Sequence, residues 1–107
     1  DPNDGESLLM LAETHSRRTE YDEADIYFKR AKEIEELEVK AALAWAESLV
    51  DRKLYERAIE ELEFVAINDD REFIQTYLEN VRRVYRANPA YSLSSPHLNL
   101  PTKQPRP

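Results

Sequence analysis

Displacing the chain on itself by 34 residues brings like onto like: Ala12 onto Ala46, Glu13 onto Glu47, Arg18 onto Arg52, Tyr21 onto Tyr55 and Ala24 onto Ala58. Residue class carries over at Leu11 and Trp45, His15 and Leu49, Phe28 and Leu62, and Ala31 and Val65. A period of this length constrains the fold strongly, because a unit so short cannot bury its own apolar face and must stack on its neighbours. The building material is helical: one glycine in 107 residues, 35% charged side chains, and an apolar share rich in Ala and Leu. Ala12 and Ala46 are small where paired helices cross closely, and Ala24 and Ala58 take that part on the return helix. Tyr21-Asp22-Glu23-Ala24 looks like a turn and a helix start, with Asp22 as the N-cap candidate and acidic residues in the first turn.

The first unit reads Leu8, Leu11, Ala12, His15, Tyr21, Ala24, Phe28, Ala31, and the second Ala42, Trp45, Ala46, Leu49, Tyr55, Ala58, Leu62, Val65. This order of large, small and aromatic positions resembles the tetratricopeptide repeat family. The resemblance implies an all-α fold, a right-handed solenoid of helical hairpins that binds other polypeptides. The chain departs from the family where Glu36 and Asp70 replace its helix-ending proline, and where Thr19 and Lys53 occupy turns that usually hold glycine. Pro2, one period before Glu36, falls where a preceding unit would end, so further repeats are expected upstream. The expected organisation is residues 1–4 as the end of that unit, 5–37 and 38–70 as two repeats, 71–87 as a terminal capping helix, and 88–107 as a proline-rich extended tail. In the terminal helix a shift of 35 sets Tyr77, Val81 and Val84 under Ala42, Ala46 and Leu49, with Phe73, Ile74, Leu78 and Tyr85 completing a wide apolar face.

The tail is a different kind of sequence. It holds five of the six prolines, no acidic residue, and Lys103 and Arg106 as its charges, so a net charge of −7 leaves −9 on the helical body. Proline at 89, 96, 101, 105 and 107 forbids regular helix and favours extended chain. Read blandly it is a linker. Tyr91, Leu93, Leu98 and Leu100 are also spaced as anchors of an extended docking peptide.

No catalytic, cofactor or metal constellation emerges, and the chain reads as a non-enzyme. There is no cysteine, which removes thiolate ligands and nucleophiles and leaves the redox compartment unread. His15 and His97 read as a core-edge and a tail histidine rather than a metal pair. The neighbouring carboxylates Glu35-Glu36, Glu60-Glu61 and Asp69-Asp70 point in different directions on a helix and read as solvated faces. Gly5 stands alone, so no phosphate-cradling loop is present. An excess of 22 acidic over 15 basic side chains argues against nucleic acid and anionic membrane as partners, and no apolar run approaches the ~20 residues that span a bilayer. A soluble, cytoplasmic setting is the working expectation.

What remains is a scaffold that binds a peptide or helix of another protein. In the family the concave face is lined by the first helix of each unit. Carried over position by position, that face gives Leu9, Glu13, Ser16 and Arg17, then Leu43, Glu47, Val50 and Asp51, then Leu78, Arg82, Tyr85 and Arg86. A leucine row beside alternating Glu and Arg would take apolar anchors and fix their direction by charge. Equally, Leu9 and Leu43 would simply pack between repeats. The family's best known subfamily grips a terminal carboxylate with Lys and Asn on these faces. Here Leu9, Glu13 and Ala44 stand at the corresponding positions, which argues against that ligand. The rival expectations are self-assembly through the end at residues 1–20 or the tail, and service as the regulatory arm of a larger enzyme.

Overall fold

A computed structural model describes residues 4–88. The expectations for residues 1–3 and for the tail beyond Asn88 lie outside the described residues. Five α-helices follow one another: α1 Gly5–Arg17, α2 Tyr21–Lys32, α3 Glu38–Asp51, α4 Tyr55–Asn68 and α5 Glu72–Ala87, with a 3-10 turn at Glu35–Leu37 before α3. Among the described residues there is no strand, so the chain is all-α. The principal contacts join successive helices, and α1 also meets α3.

The 34-residue period reappears in the backbone. α2 and α4 begin at Tyr21 and Tyr55, and α1 and α3 end at Arg17 and Asp51. Thr19 and Lys53 both adopt left-handed backbone, with φ of 59° and 62°. In the first turn the amides of Thr19 and Glu20 donate to the carbonyls of Ser16 and His15, and in the second those of Lys53 and Leu54 donate to Val50 and Leu49, all four at 2.9 Å. This is the double closure that satisfies the last carbonyls of a helix, ordinarily built with glycine at the left-handed residue. Asp22 is not the N-cap of α2. Glu20 holds that position without a side-chain cap bond, and Asp22 lies in the first helical turn. The closure of α1 uses Thr19 and Glu20 and lets α2 start at once, so Asp22 acts on the helix dipole instead.

Small residues set the interhelical distance. Ala12, Ala24, Ala31, Ala41, Ala42, Ala46 and Ala58 have no exposed surface, and Phe28, Leu49, Leu62, Val65 and Ile74 fill the space beside them at 1% exposure or less. Gly5 is buried too, and a Cβ there would run into the end of the Leu37 side chain, which would have to shift for α1 to start against the α2–α3 junction as it does. Trp45 is 8% exposed, lies parallel to Phe28, and donates its indole N–H to Asp25 Oδ1 at 2.9 Å. Arg52 reaches the same carboxylate at 2.8 and 3.2 Å and lies 4.7 Å from the Tyr21 ring centre. Asp25 on α2 thus ties the first hairpin to α3 and its C-cap.

The two units are not buried alike. All eight repeat positions of the second are in the core, whereas in the first Leu11 is 40% exposed and His15 and Tyr21 are half-buried. The second unit has α2 on one side and α5 on the other, and the first has such cover on one side alone among the described residues. Burial in α5 follows Ile74, Leu78 and Val81, with Tyr77 and Tyr85 half-buried. The shift of 35 fails there, since Val84, set under buried Leu49, is 38% exposed. A helix covered on one flank buries one stripe, and its stripe need not copy a helix covered on both. The α4–α5 corner is fixed by Asp69, which accepts the Arg71 backbone amide at 3.1 Å and its guanidinium at 2.6 Å. Those bonds hold the Asp69 carboxyl below its ordinary pKa.

Candidate functional site

The residues expected on the concave face separate into three groups. Leu9 and Leu78 are 4% and 3% exposed and belong to the core, so they are closed to a partner. Leu43, Val50 and Tyr85 are half-buried and pack against the core. The leucine row is therefore mainly packing between helices. Arg82 is drawn sideways to Glu63 of α4 at 2.9 Å and to Glu79 at 3.5 Å. The alternation of Glu and Arg expected along the face does not extend through it, because an arginine on a terminal helix finds its nearest carboxylate on the helix it covers.

The third group comes together. Glu13, Ser16 and Arg17 of α1 and Glu47 and Asp51 of α3 line one cleft of ≈ 260 Å³, closed at its base by Phe28, Ala44 and Ser48. Ser16 and Ser48 share a hydrogen bond of 2.8 Å across the floor, and Ser48 is buried. One hydroxyl pair thus joins the first helices of successive hairpins without filling the space between them. The carboxylates above it crowd each other. Although Glu47 is exposed overall, its carboxyl pKa is raised, first by partial loss of water and then by the negative charges of Glu13 and Asp51. Arg17 lies at the rim and spends one contact on Thr14, at 3.3 Å.

A second cleft, of ≈ 530 Å³, begins at Glu47 and runs along α5 past Glu72, Phe73, Thr76, Tyr77 and Asn80. Phe73 is 51% exposed here. The Tyr77 hydroxyl is pushed up to about 12, chiefly by burial and further by Glu47 and Asp51, so it stays protonated and available as a donor. Glu47 is the hinge between the two clefts, which form a groove across the first-helix faces: carboxylate-rich between α1 and α3, aromatic beside α5. Sequence reasoning missed Phe73 and Tyr77 as lining residues because both read as covering face. Ser48 was missed as well, since nothing in the sequence pairs it with Ser16.

Elsewhere a cleft of ≈ 590 Å³ lies between α2, α3 and α4 and carries both signs of charge. Lys32 pairs with Glu61 at 2.9 Å, and Lys32 and Arg57 lie 5.6 and 5.1 Å from the Trp45 ring centre. His15 stacks on Tyr27 at 5.4 Å and contacts Glu20 at 2.7 Å, as a core-edge histidine does; His97 lies outside the described residues. Among the described residues no three His, Asp or Glu are grouped so as to hold a metal ion, and no helix is long and apolar enough to cross a membrane. Compared with protein-family models, curated proteins and solved structures, the chain gives no match.

Proposed function

We propose that this chain is a tetratricopeptide-like interaction scaffold and that its groove across α1, α3 and α5 binds an extended polypeptide carrying lysine or arginine. The observation that carries this is the gathering of Glu13, Glu47 and Asp51 in one cleft, where the Glu47 pKa is raised by partial loss of water and further by the charges of Glu13 and Asp51. A cationic side chain entering the cleft would relieve that repulsion, and Tyr77 and the exposed Phe73 would hold an apolar neighbour of it beside α5. The repeated turns at Thr19 and Lys53 support the repeat assignment. The module works by binding, with the chemistry of recognition coming from charge and from a few aromatic contacts.

The test is titration of the ¹⁵N-labelled protein with short lysine- and arginine-bearing peptides. Amide shifts should centre on Glu13, Ser16, Glu47, Ser48 and Asp51 and weaken steeply with salt. Glu13→Lys combined with Glu47→Lys should abolish them while leaving the helical signals in place. If every basic peptide leaves these amides unmoved in the folded protein, the assignment fails.

A second function has one specific observation behind it. Met10, Leu11 and Ile26 are 65%, 40% and 55% exposed on α1 and α2, and the counterpart of Leu11 in the second hairpin is buried Trp45. An apolar end of this kind would let copies pair. Light scattering across dilution checks it: a dimer dispersed by Leu11→Lys supports pairing, and a monomer at all concentrations removes it. Leu8, itself core at 5% exposure, is unsuitable for that substitution.

A further inference from the structure

We infer that the groove has an occupant within the same chain: residues 89–107 dock along it and compete with any external basic segment. The inference rests on the groove being the binding face, and three observations carry it. The first is charge. The helical body carries −9, and its first-helix faces gather Glu13, Glu47, Asp51 and Glu72, while residues 89–107 contain Lys103 and Arg106 and no acidic residue. The second is order. Leaving α5 at Asn88, the chain presents Tyr91, Leu93, Leu98 and Leu100 first and its two cations afterwards. The groove presents Phe73 and Tyr77 on α5, with Glu72 at the start of that helix, and Glu47, Asp51 and Glu13 farther off, on α3 and α1. Apolar anchors and charges therefore meet their complements in the same sequence.

The third is reach. Proline-rich chain extends by about 3.1 Å per residue, so Lys103 lies within roughly 46 Å of Asn88 along an extended path. Tyr77 stands eleven residues before Asn88 on α5, about 16 Å back along the helix at 1.5 Å per residue. Leu93 to Leu98 span that level, with enough chain beyond to bring the cations over α3 and α1 in a molecule whose longest dimension is 53 Å. An intramolecular ligand is held at an effective concentration in the millimolar range, so even weak individual contacts would compete with a free peptide.

The chain has no cysteine, so Gln104→Cys gives one site for a nitroxide label on the full-length protein. Docking should broaden the amides of Glu13, Ser48, Glu47 and Tyr77 and spare those on the α2–α4 side. Charge reversal of the tail, Lys103→Glu with Arg106→Glu, should restore them and tighten binding of an external lysine- and arginine-bearing peptide by about 2- to 10-fold. Uniformly sharp amides in the labelled protein overturn the inference. So does broadening that survives undiminished when ¹⁵N-labelled unspinned chains are mixed with unlabelled spin-bearing chains, since the occupant is then a second copy. A chain that shows no broadening yet binds the external peptide at Glu13, Glu47 and Asp51 overturns self-docking and leaves the groove standing. Failure of the charge-reversed chain to bind any basic peptide overturns the groove itself.

Discussion

Thr19 and Lys53 hold a left-handed backbone with side chains that resist it, a strain of about 1–2 kcal/mol for a residue with a Cβ and largest for a β-branched one. Thr19→Gly relieves that strain and returns part of the gain as unfolded-state entropy, so the net stabilisation should be about 0.5–1 kcal/mol, measured by urea unfolding. Glu47 is the other residue with a readable consequence. Its pKa is higher in the folded chain than the ordinary 4.5, so the folded state holds the proton more tightly than the unfolded state. The contribution to stability therefore falls as pH rises from 4.5 through the folded value. Glu47→Gln should flatten the pH dependence in that window and stabilise the protein near neutrality by about 0.5 kcal/mol, the scale of an exposed charge contact. A stability profile unchanged by the substitution would show that neither burial nor the charges of Glu13 and Asp51 raise its pKa. The same variant should weaken binding of a basic peptide, which separates charge relief from simple damage to the fold.

At the scale of elements, the joint between α2 and α3 is the most specific feature. Asp25 accepts from both Trp45 and Arg52, and a carboxylate so shared fixes the roll of one hairpin on the next. Asp25→Ala leaves the indole N–H and a mostly buried guanidinium without their acceptor and should cost about 1–3 kcal/mol. Trp45→Ala, which opens a cavity against Phe28, should cost roughly 3–5 kcal/mol. Indole emission should be blue-shifted in the wild type, and red-shifted emission from folded protein would contradict the burial of Trp45. This joint was half legible. The period marks Trp45 and Arg52 as equivalents of Leu11 and Arg18, but Asp25 has Ile59 as its counterpart, so repetition gives no sign of the link.

At the scale of the molecule, contacts run mainly between successive helices, and stability should be distributed accordingly. The second hairpin is covered on both sides, and the amides of Ala42 to Leu49 and Leu62 to Val65 should exchange slowest with solvent. α1, with Met10 and Leu11 exposed, and α5, buried along one stripe, should open first. Native-state hydrogen exchange measures this gradient, and uniform protection across all five helices would mean that the array unfolds only as one unit.

Turn positions and the alanine crossings were legible in the sequence because they depend on local matters: a 34-residue period, helical spacing of apolar residues, and the size of a methyl group. The exposure of each face residue was not. Leu9, Leu43 and Leu78 look equivalent along the chain, yet two are core and one is half-buried, since the angle at which each helix meets its neighbours decides how far a side chain is covered. The cleft is tertiary for the same reason. Ser16 and Ser48 stand 32 residues apart, and Glu13 and Glu47 a full period apart, so only the stacking of one hairpin on the next sets the hydroxyls within 2.8 Å and the carboxylates within reach of each other's charge.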